Sequence, residues 1–245
     1  MTRFLFMAFS AIVYLIFFAT FLYLIGFVAG LWFLPSHVDH GAAVPLMAAL
    51  PIDIALIAIF GLQHSVMARP GFKAMWTRIV PQAIERSVYV LAASLALILL
   101  FVFWQPIYGT LWQIEAPLGR KLVWGVFGLG WLVVLLSTFM ISHFELFGLT
   151  QAYRNLRNRP AEAPHFRIPF FYKFVRHPLY SGFILAFWAT PVMSYGHLLL
   201  AVGMSIYMLI AIQYEERDLI DAFGKDYSDY RQRVGMLTPR LWHTK

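Results

Sequence analysis

The chain of 245 residues has no cysteine. That excludes disulfides, thiolate metal centres and a cysteine nucleophile. Charge is scarce too: Asp, Glu, Lys and Arg make up 13% of the residues, about half of the roughly 25% of a soluble domain. With 60% hydrophobic residues and a mean hydropathy of +0.68, the chain is neither disordered, nor a small secreted disulfide module, nor an ordinary cytosolic enzyme. Acidic residues are the rarer sign, 12 against 19 Lys+Arg, for a net charge of +7. Phosphate cradles and nucleophile elbows are missing: there is no G-x-x-x-x-G-K-[ST], no G-x-G-x-x-G, no G-x-S-x-G and no H-E-x-x-H. Neither internal repeats nor low-complexity tracts are found.

What the chain does have is long charge-free runs. Residues 4–38, 87–114, 122–144 and 177–214 contain 35, 28, 23 and 38 residues without Asp, Glu, Lys or Arg, and 41–68 is interrupted only by Asp53. A membrane span needs about 20 apolar residues. As one helix the run 177–214 would reach roughly 57 Å, against a hydrocarbon core of about 30 Å. Pro191 and then Ser194, Tyr195 and Gly196 break it into a tight hairpin. The expected fold is all-α, a polytopic membrane helix bundle with helices near 5–33, 44–66, 86–104, 120–146, 178–194 and 197–214. That makes six spans, or five if the hairpin does not cross fully. The first run is too long for the 7–15-residue core of a signal peptide. Leu219, Phe223, Tyr227, Tyr230 and Val234 recur at spacings of four, four, three and four, one face of a C-terminal amphipathic cytoplasmic helix. The chain reads as a single domain, 1–245. Its parts are a four-helix segment (1–147), a cytoplasmic loop (148–177), and the hairpin with the C-terminal helix (178–245).

With the N-terminus inside, 17 of the 19 Lys and Arg fall on the cytoplasmic side and only Arg120 and Lys121 outside. The positive-inside rule then puts both termini in the cytoplasm, in a bacterial-type inner membrane. These cations face anionic headgroups, so the basic balance requires no nucleic acid. No obligate protein partner is indicated.

Polar residues within membrane helices are expensive, so each is informative. Asp53, near the middle of helix two, is either a structural aspartate bonded to another helix or part of a proton or cation pathway. The others lie at one level. Gln63, His64 and Ser65 end helix two; Ser142, His143 and Glu145 end helix four; Arg176, His177 and Tyr180 begin helix five; Gln213, Glu215 and Glu216 end helix six. All are cytoplasmic ends in this topology, and a functional site is expected in that layer. The segment 166–175, FRIPFFYKFV, reads as an interfacial anchor or as a lid over a site open to the bilayer. His37 and His40 form a lone H-x-x-H in an outer loop, and no metal ligands are assigned.

The C-terminal third carries a more specific pattern: Arg176, His177, Pro178, Tyr180 and Gly182, then Glu215, Glu216 and Leu219, then Phe223, Gly224, Tyr227, Tyr230 and Pro239. This R-H-P-x-Y-x-G … E-E-x-x-L-x3-F-G-x2-Y-x2-Y order resembles the isoprenylcysteine carboxyl methyltransferase and phospholipid methyltransferase superfamily of membrane enzymes over about residues 172–240. At the front, Gln63-His64-Ser65-Val66-Met67-Ala68-Arg69-Pro70, with Trp76 and Glu85-Arg86-Ser87, resembles the methanethiol S-methyltransferase family, and NnrU-like proteins share some of it.

The resemblance implies S-adenosylmethionine as methyl donor and a small volatile thiol, methanethiol, as acceptor, giving dimethyl sulfide. In that reading Arg176 binds the donor's carboxylate bidentately, and His177, Tyr180 and Ser181 add hydrogen bonds. Pro178 opens helix five, whose first turn offers free N–H groups. Gly182 admits the cofactor or helix six at close range. One of Glu215 and Glu216 takes the ribose hydroxyls or the ammonium, while the other holds Arg176 or a basic loop residue. For the thiol's proton, His64 and His143 are both candidate bases, with Glu145 able to orient His143 only if the helix ends there. Arg86 is a candidate stabiliser of the thiolate. Other acceptors within the superfamily are a prenylcysteine carboxylate, a phospholipid amine or a larger thiol. From another class, a haem- or quinone-binding protein or a transporter would use Asp53 and the histidines.

Overall fold

The computed structural model describes residues 1–41, 44–160 and 165–240. It begins with α1 (Thr2–Ala29), α2 (Leu46–Ala68), α3 (Pro70–Trp76) and α4 (Gln82–Phe103). Then come β1 (Thr110–Gln113), α5 (Pro117–Ile141), α6 (His143–Leu146) and α7 (Leu149–Leu156). A 3-10 turn (Phe170–Lys173) leads to α8 (Pro178–Trp188), β2 (Val192–Ser194), α9 (Tyr195–Phe223) and α10 (Lys225–Arg233). The strands pair in one two-stranded sheet. Five helices, α1, α2, α4, α5 and α9, are 22–29 residues long and apolar enough to cross a membrane. The expected all-α membrane bundle is therefore observed with five membrane-length helices. Residues 42–43 of the second helix's run, 161–164 of the 148–177 loop, and 241–245 with the counted charge of Lys245 lie outside the described residues.

The chain divides into two compact units. The first comprises Met1–Leu111, His143–Glu162 and Ser194–Leu200. Within it α4 packs on α1 and α2, and α7 packs on α1 and α4. α1 stops at Gly30, whose φ of 66° suits glycine, and the Leu31 N–H reaches back to the Gly26 carbonyl at 3.1 Å. Ser87 in α4 donates to Ser10 in α1 (2.8 Å). Asp53 is fully buried, and its Oδ1 accepts the Gln105 N–H at 2.9 Å, just past the end of α4. This contact matches the structural reading of Asp53. In the outer loop the His37 and His40 rings stack with centroids 5.3 Å apart, and Asp39 accepts a hydrogen bond from Ser194. Neither α3 nor α7 was expected; both are too short for their periodicity to stand out.

The second unit comprises Trp112–Ser142, Ala163–Met193 and Ala201–Lys245. Here α8 packs antiparallel on α5. A Cβ at Gly182 would lie 2.7 Å from the Gly130 carbonyl, while 190–191 meets the start of α5, with Ile114 N–H to Pro191 O at 2.8 Å and Trp112 Nε1–H to Thr190 O at 3.1 Å. The helix expected over 178–194 is an 11-residue helix ending at Trp188, because Pro191 biases the residue before it away from helix. About 17 Å of helix plus six residues at about 3.3 Å each still matches a core of about 30 Å. α5 ends at Ile141, five residues short of expectation, and Ser142 is extended before the chain recoils at His143. The C-terminal apolar face is likewise split, because Gly224 at φ 57° separates α9 from α10. Its core is as expected: Tyr227 and Tyr230 are buried. Phe166 packs on Phe223, Tyr227 and Tyr230, with centroids 5.4, 5.9 and 5.6 Å apart, and Tyr230 donates to the Tyr172 carbonyl at 2.6 Å. Burial raises the phenol pKa of Tyr172 and Tyr227 and pushes that of Tyr230 up to about 12.

Candidate active site

Within the second unit the structure gathers Arg176, His177, Tyr180, Glu215 and Glu216. Pro178 is the first residue of α8 and His177 its cap, so the cluster forms where α8 starts beside the last third of α9. Glu216, 3% exposed, is the hub. Its Oε1 accepts from Arg176 Nε at 2.7 Å and meets His177 Nε2 at 3.1 Å, and its Oε2 meets Arg231 Nε at 2.9 Å. Arg176 also donates through Nη1 to the carbonyls of Arg231 (3.0 Å) and Val234, at the C-terminal end of α10 where carbonyls lack helical partners. Nη2 of Arg176 has no partner among the described residues. Glu215 is half-exposed; its Oε2 accepts from the Tyr180 hydroxyl at 3.0 Å and lies 3.9 Å from His177 Nδ1. The two glutamates are thus separated in role, with Glu216 bound into the protein and Glu215 turned outward.

The backbone after α10 completes this cluster. Arg176 N–H donates to Gly235 O (2.8 Å), His177 N–H to Met236 O (3.1 Å), and the Ser181 hydroxyl to Leu237 O (2.8 Å). Ser181 is thereby tied to the segment after α10, and Gly182 lies against Gly130 and Val134 of α5. Sequence reasoning missed Arg231 and this strap. Arg231 sits among alternating charges that look like any solvated helix face, and carbonyl contacts leave no residue-type signal.

The other candidates lie in the first unit. His64 stands between Phe60 and Tyr89, with ring centroids 5.4 and 5.0 Å away. The guanidinium of Arg86 lies 4.8 Å over the Tyr89 ring, and its Nε donates to the Leu146 carbonyl at 2.7 Å. His143 is buried with Phe147 and Phe144 at 4.9 and 5.3 Å, and its Nε2 is 2.9 Å from the Tyr14 hydroxyl. Burial lowers the pKa of His143 below its ordinary 6.5, so the ring is neutral at pH 7. Glu145 does not orient it: the Glu145 carboxylate lies 4.0 Å from Arg154. Tyr14, which sequence reasoning did not single out, holds that position.

Five membrane-length helices, with polar clusters gathered at helix ends, define an integral membrane protein. The chain is 49% identical over 98% of its length to methanethiol S-methyltransferase of Mycobacterium tuberculosis, covering 98% of that protein. It is 52% identical over 92% to methanethiol S-methyltransferase 1 of Bradyrhizobium diazoefficiens, covering 79% of it. The chain belongs to the methanethiol S-methyltransferase family and is a methyltransferase. It also resembles a Nurim homolog of Drosophila pseudoobscura pseudoobscura, 31% identical over 68% of each chain, a more distant relation. No family model and no solved structure matches it.

Proposed function

We propose that the chain transfers the methyl group of S-adenosylmethionine to methanethiol, giving dimethyl sulfide. The observation that carries the acceptor is the near-full-length similarity to methanethiol S-methyltransferases. For the donor, the second unit offers a matching set of groups. Glu215 presents an outward carboxylate suited to ribose hydroxyls or an ammonium, and Arg176 Nη2 beside the first turn of α8 suits a carboxylate. Glu216 and His177 hold Arg176 in place. When bound, the donor supplies a methyl group on a positively charged sulfur, and the reaction requires no covalent enzyme intermediate. The protein's share is positioning and removal of the thiol proton, for which His64 and His143 are the candidate bases. Arg86 is the cation that would favour thiolate. Positioning alone is worth roughly 7–11 kcal/mol.

The charge distribution supports a bacterial inner membrane with both termini and the site on the cytoplasmic side, where the donor is made. The test is purified protein in detergent with methyl-labelled S-adenosylmethionine and a panel of thiols, read by headspace gas chromatography. Labelled dimethyl sulfide from methanethiol is expected. Transfer only to a prenylcysteine, a phospholipid amine or large thiols would replace this acceptor.

A further inference from the structure

Between Glu162 and Glu215 the chain has no Asp or Glu, and its cations there, Arg167, Lys173 and Arg176, stand just ahead of α8. Arg176 is taken up by Glu216. Arg167 and Lys173 are exposed, and neither has a carboxylate partner among the described residues. With them stand two large apolar rings: Phe170 is 61% exposed and Phe174 54%, their centroids 6.0 Å apart. The other side of the same segment is fixed to the protein. Phe166 packs on Phe223, Tyr227 and Tyr230, Val175 is buried, and the Tyr172 carbonyl accepts the Tyr230 hydroxyl. The 3-10 turn links this anchorage to Arg176 without a break. The Phe171 carbonyl accepts the N–H groups of Phe174 (3.0 Å) and Val175 (3.1 Å), and the Arg176 N–H, next in line, donates to Gly235 O. Exposed rings interleaved with unpaired cations, at the entry to an apolar helix, match the headgroup level of a bilayer. Each such cation is worth about 1 kcal/mol against anionic lipid.

We propose that the exposed face of residues 167–174 binds anionic phospholipid of the surrounding bilayer, and that this contact steadies Arg176 for the methyl donor. Phe170 and Phe174 enter the acyl chains, while Arg167 and Lys173 meet headgroup phosphates. The coupling rests on the reading of the Arg176 cluster as the donor's site. Its route is short: Arg176 follows Phe174 by two residues, and the turn that carries the rings also sets the backbone from which the guanidinium extends. Lipid that favours the ordered turn therefore favours the arrangement the donor binds, and the donor in return favours lipid.

The test uses the full chain in nanodiscs of phosphatidylcholine alone or of a phosphatidylcholine–phosphatidylglycerol mixture. Because the chain has no cysteine, Phe170→Cys gives one site for a nitroxide. The label should be accessible to oxygen and shielded from a water-soluble nickel chelate. By calorimetry, S-adenosylmethionine should bind the wild type at least about fivefold more tightly in the mixture, the lower end of usual coupling between sites. In the double variant Arg167→Gln, Lys173→Gln that gain should vanish, with affinity in phosphatidylcholine alone near wild type. A label open to the nickel chelate overturns the proposal, since the face then meets water or another protein. Equal donor affinity in the two bilayers also overturns it. So does a gain that persists in the double variant, which would come from the general surface potential acting on a cationic donor. If S-adenosylmethionine binds in neither bilayer, the donor reading of the cluster fails and the coupling with it, and the nitroxide separately decides whether the face meets lipid.

Discussion

Glu216 meets two guanidiniums and an imidazole from a nearly sealed position, so its loss is felt first in folding. Glu216→Ala leaves Arg176, whose side chain is only 10% exposed, without its counter-charge. Breaking a buried pair costs about 3–5 kcal/mol, which melting in detergent should show as a clear loss of stability. Glu215→Ala removes an outward carboxylate instead; its melting should stay near wild type while affinity for S-adenosylmethionine, measured by calorimetry, falls. Equal melting of the two variants would contradict the division between them. His143 gives a pH prediction. Burial holds its folded pKa below 6.5, so below that pH the unfolded chain binds the proton that the folded chain refuses. Stability from this residue is present above about pH 6.5 and drains away as pH falls through the folded value. Melting from pH 7.5 to 5 should decline less steeply in His143→Gln. Arg176, His177 and the glutamates were legible because charge is rare in this chain and a spaced motif links them. Tyr14 was not, being one aromatic among many in an apolar helix, with a partner 129 positions away.

At the scale of elements, α5 and α8 approach backbone to backbone. A Cβ at Gly182 would stand 2.7 Å from the Gly130 carbonyl and 2.9 Å from Val134, atoms that cannot rotate aside together. Gly182→Ala should therefore destabilise by about 1–3 kcal/mol, the usual cost of overpacking. Gly128 on α5 has nothing within 4 Å of its missing Cβ, so Gly128→Ala should stay within about 1 kcal/mol of wild type. Comparable losses in both, by denaturant titration in detergent, would refute the close contact. The long helices were legible from uninterrupted apolar runs, since nothing else satisfies a backbone in lipid. Their ends were not. At Ser142 polar residues begin, but Phe144, Leu146 and Phe147 carry the apolar run past the turn, and the extended path after Trp188 depends on the α4–α5 connection as well as on Pro191. Gly224 was visible as a residue, yet the spacing of Leu219, Phe223, Tyr227 and Tyr230 concealed that it divides two helices.

For the whole molecule, both termini on one side of the membrane require the 178–194 arm to cross. A reporter active only outside the cytoplasm, fused after Lys245, should stay silent, and one fused between Arg120 and Lys121 should be active; the reverse pattern would invert the topology. The half-helical arm also bears on biogenesis. An 11-residue helix is too short to partition into lipid by itself, and the extended residues after it carry peptide groups that bilayer hydrocarbon cannot solvate. The acceptor groups of Thr190 and Pro191 find their donors on Trp112 and Ile114, which are synthesised about eighty residues earlier. The arm therefore cannot settle when it leaves the ribosome. In that topology the arm would enter together with α9, beside an α5 already in place, and its insertion would be an act of tertiary folding.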